Sequence, residues 1–157
     1  MDRVKLRNTI LSLIAGLGAS SVHIVLMEVK QRSGILPQFD PYADLQRVLS
    51  SFSSHAFETP LSWLLPYING AMLLGFLFGQ SFSYLPGRTA LRKGAVFGFL
   101  AWLLLGLVLL PFSGSGVFAH RLGLGVMPAL LMLVMLLTYA IVVSLIYQRL
   151  TAPSNPD

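Results

Sequence analysis

The sequence predicts an all-α membrane protein with four transmembrane helices and cytoplasmic N and C termini. Composition and hydropathy predict the class. Apolar residues make up 55% of the 157 residues and charged residues only 11%, and the mean hydropathy is +0.73. Because soluble domains carry about 25% charged residues, this composition favours a membrane protein.

Four stretches without Lys, Arg, Asp or Glu are each long enough to cross a bilayer, which takes about 20 mostly apolar residues. We expect helices over residues 9–27, 60–85, 94–112 and 126–147. Strands are not expected, because the runs lack the alternation of a membrane barrel. The first stretch also has features of a signal peptide. Its apolar part continues past the small residues 19–21, so we interpret it as an uncleaved helix.

The connection between the first two predicted helices contains a predicted interfacial helix over residues 41–52. Asp40 is a suitable N-cap and Pro41 suits the first helical position. Apolar residues then follow at helical spacing. We expect one four-helix domain over residues 1–150, followed by a polar tail over residues 151–157.

Lys and Arg residues in the connections predict the orientation. One side carries seven of the 11 and the other side carries four. The first group is Arg3, Lys5, Arg7, Arg88, Arg92, Lys93 and Arg149; the second is Lys30, Arg32, Arg47 and Arg121. Since cytoplasmic connections carry the excess of Lys and Arg, both termini are predicted to be cytoplasmic.

Small residues at helical spacing predict how the helices pack. They form small-xxx-small pairs in the later helices and a small-residue stripe in the first helix, where backbones approach closely in lipid. The predicted positions of helix packing or partner contact are Gly16, Gly75, Gly79, Gly94, Gly98, Ala140 and Ser144. Four helices with at least four such surfaces leave a contact with another protein open.

Polar residues within the predicted spans are His23, Asn69 and Gln80. Ionisable groups within spans usually face a protein interior, a cavity or a partner, and we place His23 inward. An amide such as Asn69 or Gln80 most often links helices. His23 and His120 are the candidate cofactor-binding residues, because two imidazoles can hold haem. No metal site and no catalytic residue is predicted, and we expect no cofactor.

Residues 111–125, PFSGSGVFAHRLGLG, join the third and fourth predicted helices. A phosphate-binding Walker loop ends in Gly-Lys-Ser/Thr between a strand and a helix, and this segment has neither feature. We expect the glycines to allow the chain to turn back into the membrane. An anion nest assisted by His120 and Arg121 stays an alternative.

The stretches GILPQFDPYADLQRVLSSF, LPYINGAMLLGFLFG, RKGAVFGFLAWLLLGLVLLPFSGSGVF and LIYQRL resemble a family of small bacterial four-helix membrane proteins of unknown function. That family is distantly similar to YagU-type inner-membrane proteins. The resemblance covers nearly the whole chain. It implies a bacterial inner membrane and four helices, and it implies no catalytic residue.

Three functions fit these residues. The leading hypothesis is a non-catalytic subunit or assembly factor of a larger membrane complex, respiratory or photosynthetic, rather than an enzyme. The alternatives are a small oligomeric transporter or channel, and a haem- or metal-binding redox protein that uses His23. Expected partners are the lipid bilayer and other integral membrane subunits, with a homo-oligomer left open. A nucleic-acid partner is not expected, because no soluble basic patch is present.

Overall fold

A computed structural model describes residues 3–35, Pro37, Phe39 and residues 68–152. These residues form helices and turns, with no strand among them. Helix α1 is Arg3–Arg32 and helix α4 is Met127–Thr151. Helix α2 consists of a π-helical segment, Ile68–Gly75, followed by the α-helical Phe76–Ser81. Helix α3 consists of the α-helical Ala90–Leu104, the π-helical Leu105–Leu109 and a last turn, Leu110–Phe112. A 3₁₀ turn, Val117–Leu122, connects α3 to α4. The all-α class is thus confirmed for the described residues.

Three of these helices, α1, α3 and α4, are long and apolar enough to cross a membrane. The described part of α2 contains a shorter apolar helix, Gly70–Ser81. Residues 60–67 of the second predicted span, the predicted interfacial helix over residues 41–52 and residues 153–157 of the tail lie outside the described residues.

Helix α1 extends beyond the apolar stretch at both ends. Its last turn contains Lys30 and Arg32, whose positive charge is favourable at the C-terminal end of the helix dipole. Glu28 and Arg32, one turn apart, form an exposed ion pair with 2.7 Å between Oε1 and Nε. The apolar stretch therefore predicted the middle of α1, and the helix continues into polar residues at both ends.

The helices pack in the order α2, α1, α4, α3: α1 contacts both α2 and α4, and α4 contacts α3. α2 and α3 approach each other through Phe78 and Phe97, whose rings meet edge to face with centroids 5.2 Å apart. Tyr147 of α4 also meets the Phe78 ring edge to face. The core at this end is therefore aromatic.

The two ends of the bundle differ in their residues. The basic end comprises the start of α1, the α2–α3 connection and the end of α4; its Lys and Arg residues include Lys5, Arg7, Arg88, Arg92, Lys93 and Arg149. The opposite end, the glycine-rich end, contains residues 113–126 and the end of α1. There Lys30 is buried, and its Nζ donates to the carbonyl of Phe39 at 2.5 Å. Phe39 belongs to a buried apolar cluster with Leu110 of α3, Met132 of α4 and Ala119 of the 3₁₀ turn.

Candidate functional site

A polar cluster lies in the middle of the bundle, where α1, α2 and α4 meet. It consists of Ser20 and His23 of α1, Tyr139 of α4 and the backbone carbonyl of Gly70 in α2. Ser20 and His23 are three residues apart, so they share one face of α1. Tyr139 lies about 18 Å along the helix axis from the start of α4. The cluster is therefore at the mid-length of α4.

Hydrogen bonds and ring contacts in this cluster connect three helices. The Tyr139 hydroxyl donates to the carbonyl of Gly70, which links α4 to α2. The rings of His23 and Tyr139 meet edge to face, with centroids 6.1 Å apart and an interplanar angle of 89°. His23 also hydrogen-bonds the backbone of Met135, one turn before Tyr139. Such links between helices are favourable in lipid, where no water replaces them.

The hydroxyl of Ser20 is aimed at Gly70. Ser20 is buried, and among the described residues its Oγ has no hydrogen-bond partner. A Cβ added to Gly70 would lie 1.8 Å from this oxygen and 3.3 Å from Cε2 of Tyr139. The space between these groups is therefore smaller than a methyl group. Among the described residues, the cluster therefore links the helices closely at Gly70.

Two π-helical segments, Ile68–Gly75 and Leu105–Leu109, have a glycine at a close contact. In the first segment, the missing side chain of Gly70 leaves room for the side chain of Ser20. Gly106 in the second admits the ring of Phe118, whose Cε1 would lie 2.1 Å from a Cβ added to Gly106. Single-turn π-bulges occur frequently at functional sites. Here each π-helical segment coincides with the insertion of a side chain from a neighbouring element.

The small residues predicted as packing or partner contacts lie at two contacts within the chain. Gly16, Gly75 and Gly79 lie between α1 and α2, and Gly94, Gly98, Ala140 and Ser144 lie between α3 and α4. A Cβ added to Gly94 would be 2.7 Å from the carbonyl oxygen of Ala140. The Ser144 hydroxyl donates to the carbonyl of Ala90 at 2.7 Å. These surfaces are therefore occupied by neighbouring helices of the same chain.

The predicted intramembrane amides lie away from the polar cluster or outside the described side chains. Gln80 is exposed near the basic end, and its Nε2 lies 3.4 Å from Oγ1 of Thr9, to which it donates. Asn69 is in the first turn of α2, and its side chain lies outside the described part of the chain.

The glycine-rich segment forms a tight turn, as expected. Gly114, Gly116, Gly123 and Gly125 have φ values between +63° and +86°, a region that glycine adopts without strain. The N–H of Ala119 donates to the carbonyl of Gly116 at 3.0 Å, and the N–H of Arg121 donates to that of Ser115 at 3.1 Å. The amides of residues 119 and 121 are therefore engaged within the turn rather than offered to an anion.

Phe118 and Ala119 adopt positive φ values, +50° and +61°, which are uncommon outside glycine. Tertiary contacts hold them there. Ala119 is fully buried, and the Phe118 ring lies against the Trp102 ring with centroids 4.6 Å apart. Trp102 is fixed in turn by a 2.9 Å hydrogen bond from Nε1 to the carbonyl of Ala129. This anchoring of the turn in the helices had no signal in the sequence.

The two candidate cofactor-binding histidines have different environments. His23 of α1 lies level with the midpoint of α4, where it contacts Tyr139. His120 is exposed in the turn before α4 begins. About 18 Å of helix separates those levels, and two axial ligands must reach the same iron. The described residues contain no group of three or more His, Cys, Asp or Glu side chains that could hold a metal ion.

The chain matches the sequence profile of the Family of unknown function (DUF6789) over residues 6–157. The chain belongs to this family. The match includes α1 through α4 and confirms the predicted resemblance to a family of unknown function. No match to the chain was found among curated proteins or among solved structures.

The sequence identified His23, but Ser20 and Tyr139 were missed. Each had a signal. Tyrosine in membrane helices is concentrated at the interfaces, so Tyr139 in the middle of an apolar stretch is out of its usual place. Ser20 lies three residues before His23, which places it on the same helix face.

Proposed function

We propose that this protein is a non-catalytic integral membrane subunit, or an assembly or stabilising factor, of a larger membrane complex, such as a respiratory or photosynthetic one. The exposed apolar face of α1 carries this proposal, because the small-residue surfaces predicted as partner contacts are used within the chain. Polar groups and small-residue surfaces of the described helices are used in contacts within the chain: Tyr139 with Gly70, Ser144 with Ala90, and the glycines with facing backbones.

The outer surface of the helices is apolar. A stripe of exposed side chains runs along α1: Leu6, Ile10, Ile14, Leu17, Val25 and Val29. It extends for about 35 Å, more than the roughly 30 Å thickness of the hydrocarbon core of a bilayer. A long apolar helix face is suited to packing against a helix of another membrane protein. We call these six residues the α1 stripe.

The proposed setting is a bacterial inner membrane, with four spans and both termini in the cytoplasm. Two observations support four spans. The described part of α2 is apolar and packs along α1 through Gly75 and Gly79, and the apolar residues 60–67 precede it in the sequence. The excess of Lys and Arg at the basic end supports the orientation. The distant likeness to YagU-type proteins belongs to the same proposal.

Copurification tests the proposed role. The protein would be extracted from its native membrane in a mild detergent, and everything that elutes with it identified by mass spectrometry. Stoichiometric membrane subunits are expected. A solitary protein under conditions that keep other complexes intact would contradict the proposal.

Site-specific photocrosslinking locates the contact. A photoreactive amino acid would replace Ile14 of the α1 stripe, which is 47% exposed, or Leu130 on α4, which is 49% exposed. Crosslinks to another protein are expected from position 14, with position 130 as the matched control. Crosslinks to lipid alone from position 14 would contradict the proposal that another protein contacts the α1 stripe. Crosslinks to a second copy would indicate a homo-oligomer.

A small transporter or channel is the alternative proposal, favoured by the π-helical segment Ile68–Gly75 beside His23. Transport sites commonly combine interrupted helices with polar groups in the middle of the membrane. Flux in liposomes that is lost in Asn69→Leu or His23→Leu would support it, and unchanged flux would count against it. The haem or metal alternative rests on His23 alone, and visible absorbance with elemental analysis of the same preparation tests it.

A further inference from the structure

An apolar groove separates α2 from α3 on the outer surface of the bundle. Leu74 and Leu77 line its α2 side, and Leu100, Ala101 and Leu104 line its α3 side. Its volume is about 390 Å³. The groove forms because the Phe78–Phe97 contact holds the two helices together in the core, while the small side chain of Ala101 leaves the outer surface between them unfilled.

The groove spans about two thirds of one bilayer leaflet. Its α3 side runs from Phe97 to Leu104, over which the helix axis advances about 10 Å. Half of a hydrocarbon core of about 30 Å is about 15 Å. Tyr84, which is 88% exposed, lies where the α2–α3 connection closes the groove. Tyrosine is typical of the membrane interface, so this end fits the headgroup level.

Basic residues lie at the end of the bundle that contains the α2–α3 connection. Lys93 is held there, because its Nζ donates to the carbonyl of Phe82 at 2.6 Å and lies 4.1 Å from the centre of the Phe82 ring. Arg88, in the α2–α3 connection, and Arg92, in the first turn of α3, are exposed at the same end of the bundle. Glu28, the sole carboxylate among the described residues, is paired with Arg32 near the opposite end. The two arginines are therefore available to an anion from outside the described chain.

We propose that the groove binds one acyl chain of an anionic phospholipid, with the lipid phosphate held by Arg88 and Arg92. Basic pockets between membrane helices commonly bind anionic lipid headgroups. A hydrocarbon chain matches the narrow apolar walls. This inference does not depend on the proposed subunit role.

Lipid titration of the full-length protein tests the headgroup contact. Delipidated protein in detergent would be titrated with phosphatidylglycerol or with phosphatidylcholine of the same acyl chains, and the bound lipid counted by native mass spectrometry. Phosphatidylglycerol is expected to bind more tightly. The double variant Arg88→Gln/Arg92→Gln should weaken its binding by about 30-fold, which corresponds to about 2 kcal/mol. Arg149→Gln, at the same end of the bundle, is the matched control and should leave binding unchanged.

Photocrosslinking and a filled groove test the acyl-chain contact. Phosphatidylglycerol with a diazirine in its acyl chain, in vesicles of phosphatidylcholine, should label Leu77, Leu100 and Leu104. Ala101→Trp should block this labelling, because the indole occupies the groove. Leu107→Trp, at an exposed position of α3 beyond the groove, should not. The arginine variants provide the independent test if Ala101→Trp is poorly folded.

Four results would overturn the proposal. The first is equal affinity for the two lipids, which would mean that no headgroup is recognised. The second is equal weakening by Arg149→Gln, which would mean that only the net charge matters. The third is labelling that spreads evenly over exposed residues of α1 and α4. The fourth is a partner protein crosslinked within the groove.

Discussion

Replacing Gly16 by alanine should push α1 away from α2. The added Cβ would lie 2.9 Å from Cα of Ala71 and from the carbonyl oxygen of Gly70, and 3.1 Å from Cα of Gly75. All three are backbone atoms, which cannot rotate out of the way. Restoring ordinary contact requires the helices to separate by roughly 0.5–1 Å. Overpacking of this kind costs about 1–3 kcal/mol of unfolding free energy.

Gly18→Ala is the matched control for this prediction. Its Cβ would lie 2.9 Å from Cδ1 of Ile146, the far end of a flexible side chain that can move. Both substitutions gain the same helix propensity, roughly 1 kcal/mol in water. The difference in unfolding free energy between the two variants therefore isolates the α1–α2 backbone contact. Gly16→Ala should be less stable than Gly18→Ala by about 1–3 kcal/mol.

Unfolding by SDS in mixed micelles, followed by circular dichroism, measures this difference. The helix separation can be measured independently, because the chain has no cysteine and a pair can be introduced for spin labels on α1 and α2. Equal unfolding free energies for the two variants would refute the idea that the backbones of α1 and α2 are in contact at Gly16.

Two further substitutions test single contacts. Tyr139→Phe removes the hydrogen bond to Gly70 and should lower the unfolding free energy by about 1 kcal/mol or less; an unchanged midpoint in the same SDS titration would mean that this bond contributes nothing. Gly106→Ala places a Cβ 2.1 Å from the Phe118 ring and should displace that ring from Trp102. Trp102 fluorescence should then shift, measured with the chain's other tryptophan replaced by Phe, and an unshifted spectrum would contradict the contact.

Helices α1, α3 and α4 were predictable because each contains an apolar stretch long enough to cross a membrane. Residues 94–112 and 126–147 correspond to α3 and α4 within a few residues. The ends were less predictable. α1 begins at Arg3 and ends at Arg32, because its charged end residues carry no apolar signal; the positive charges of Lys30 and Arg32 are favourable at the C-terminal end of the helix dipole.

The polar cluster was only partly predictable. His23 was identifiable as an ionisable group within an apolar stretch. Its contact with Tyr139 depends on the rotation and depth of two helices separated by more than 100 residues in the chain. No local pattern encodes that relation, because a hydroxyl in a helix looks the same in sequence whether it contacts a distant carbonyl or lipid.

The sequence by itself determined the helical class, the charge asymmetry between the ends and the residues able to pack closely. The tertiary structure decided how these features are used. It paired the Gly16 surface with Gly75 and the Gly94 surface with Ala140, and it left an apolar groove between α2 and α3. The physical reason is that small residues allow close approach to any helix, and only the packing of the whole chain selects the partner.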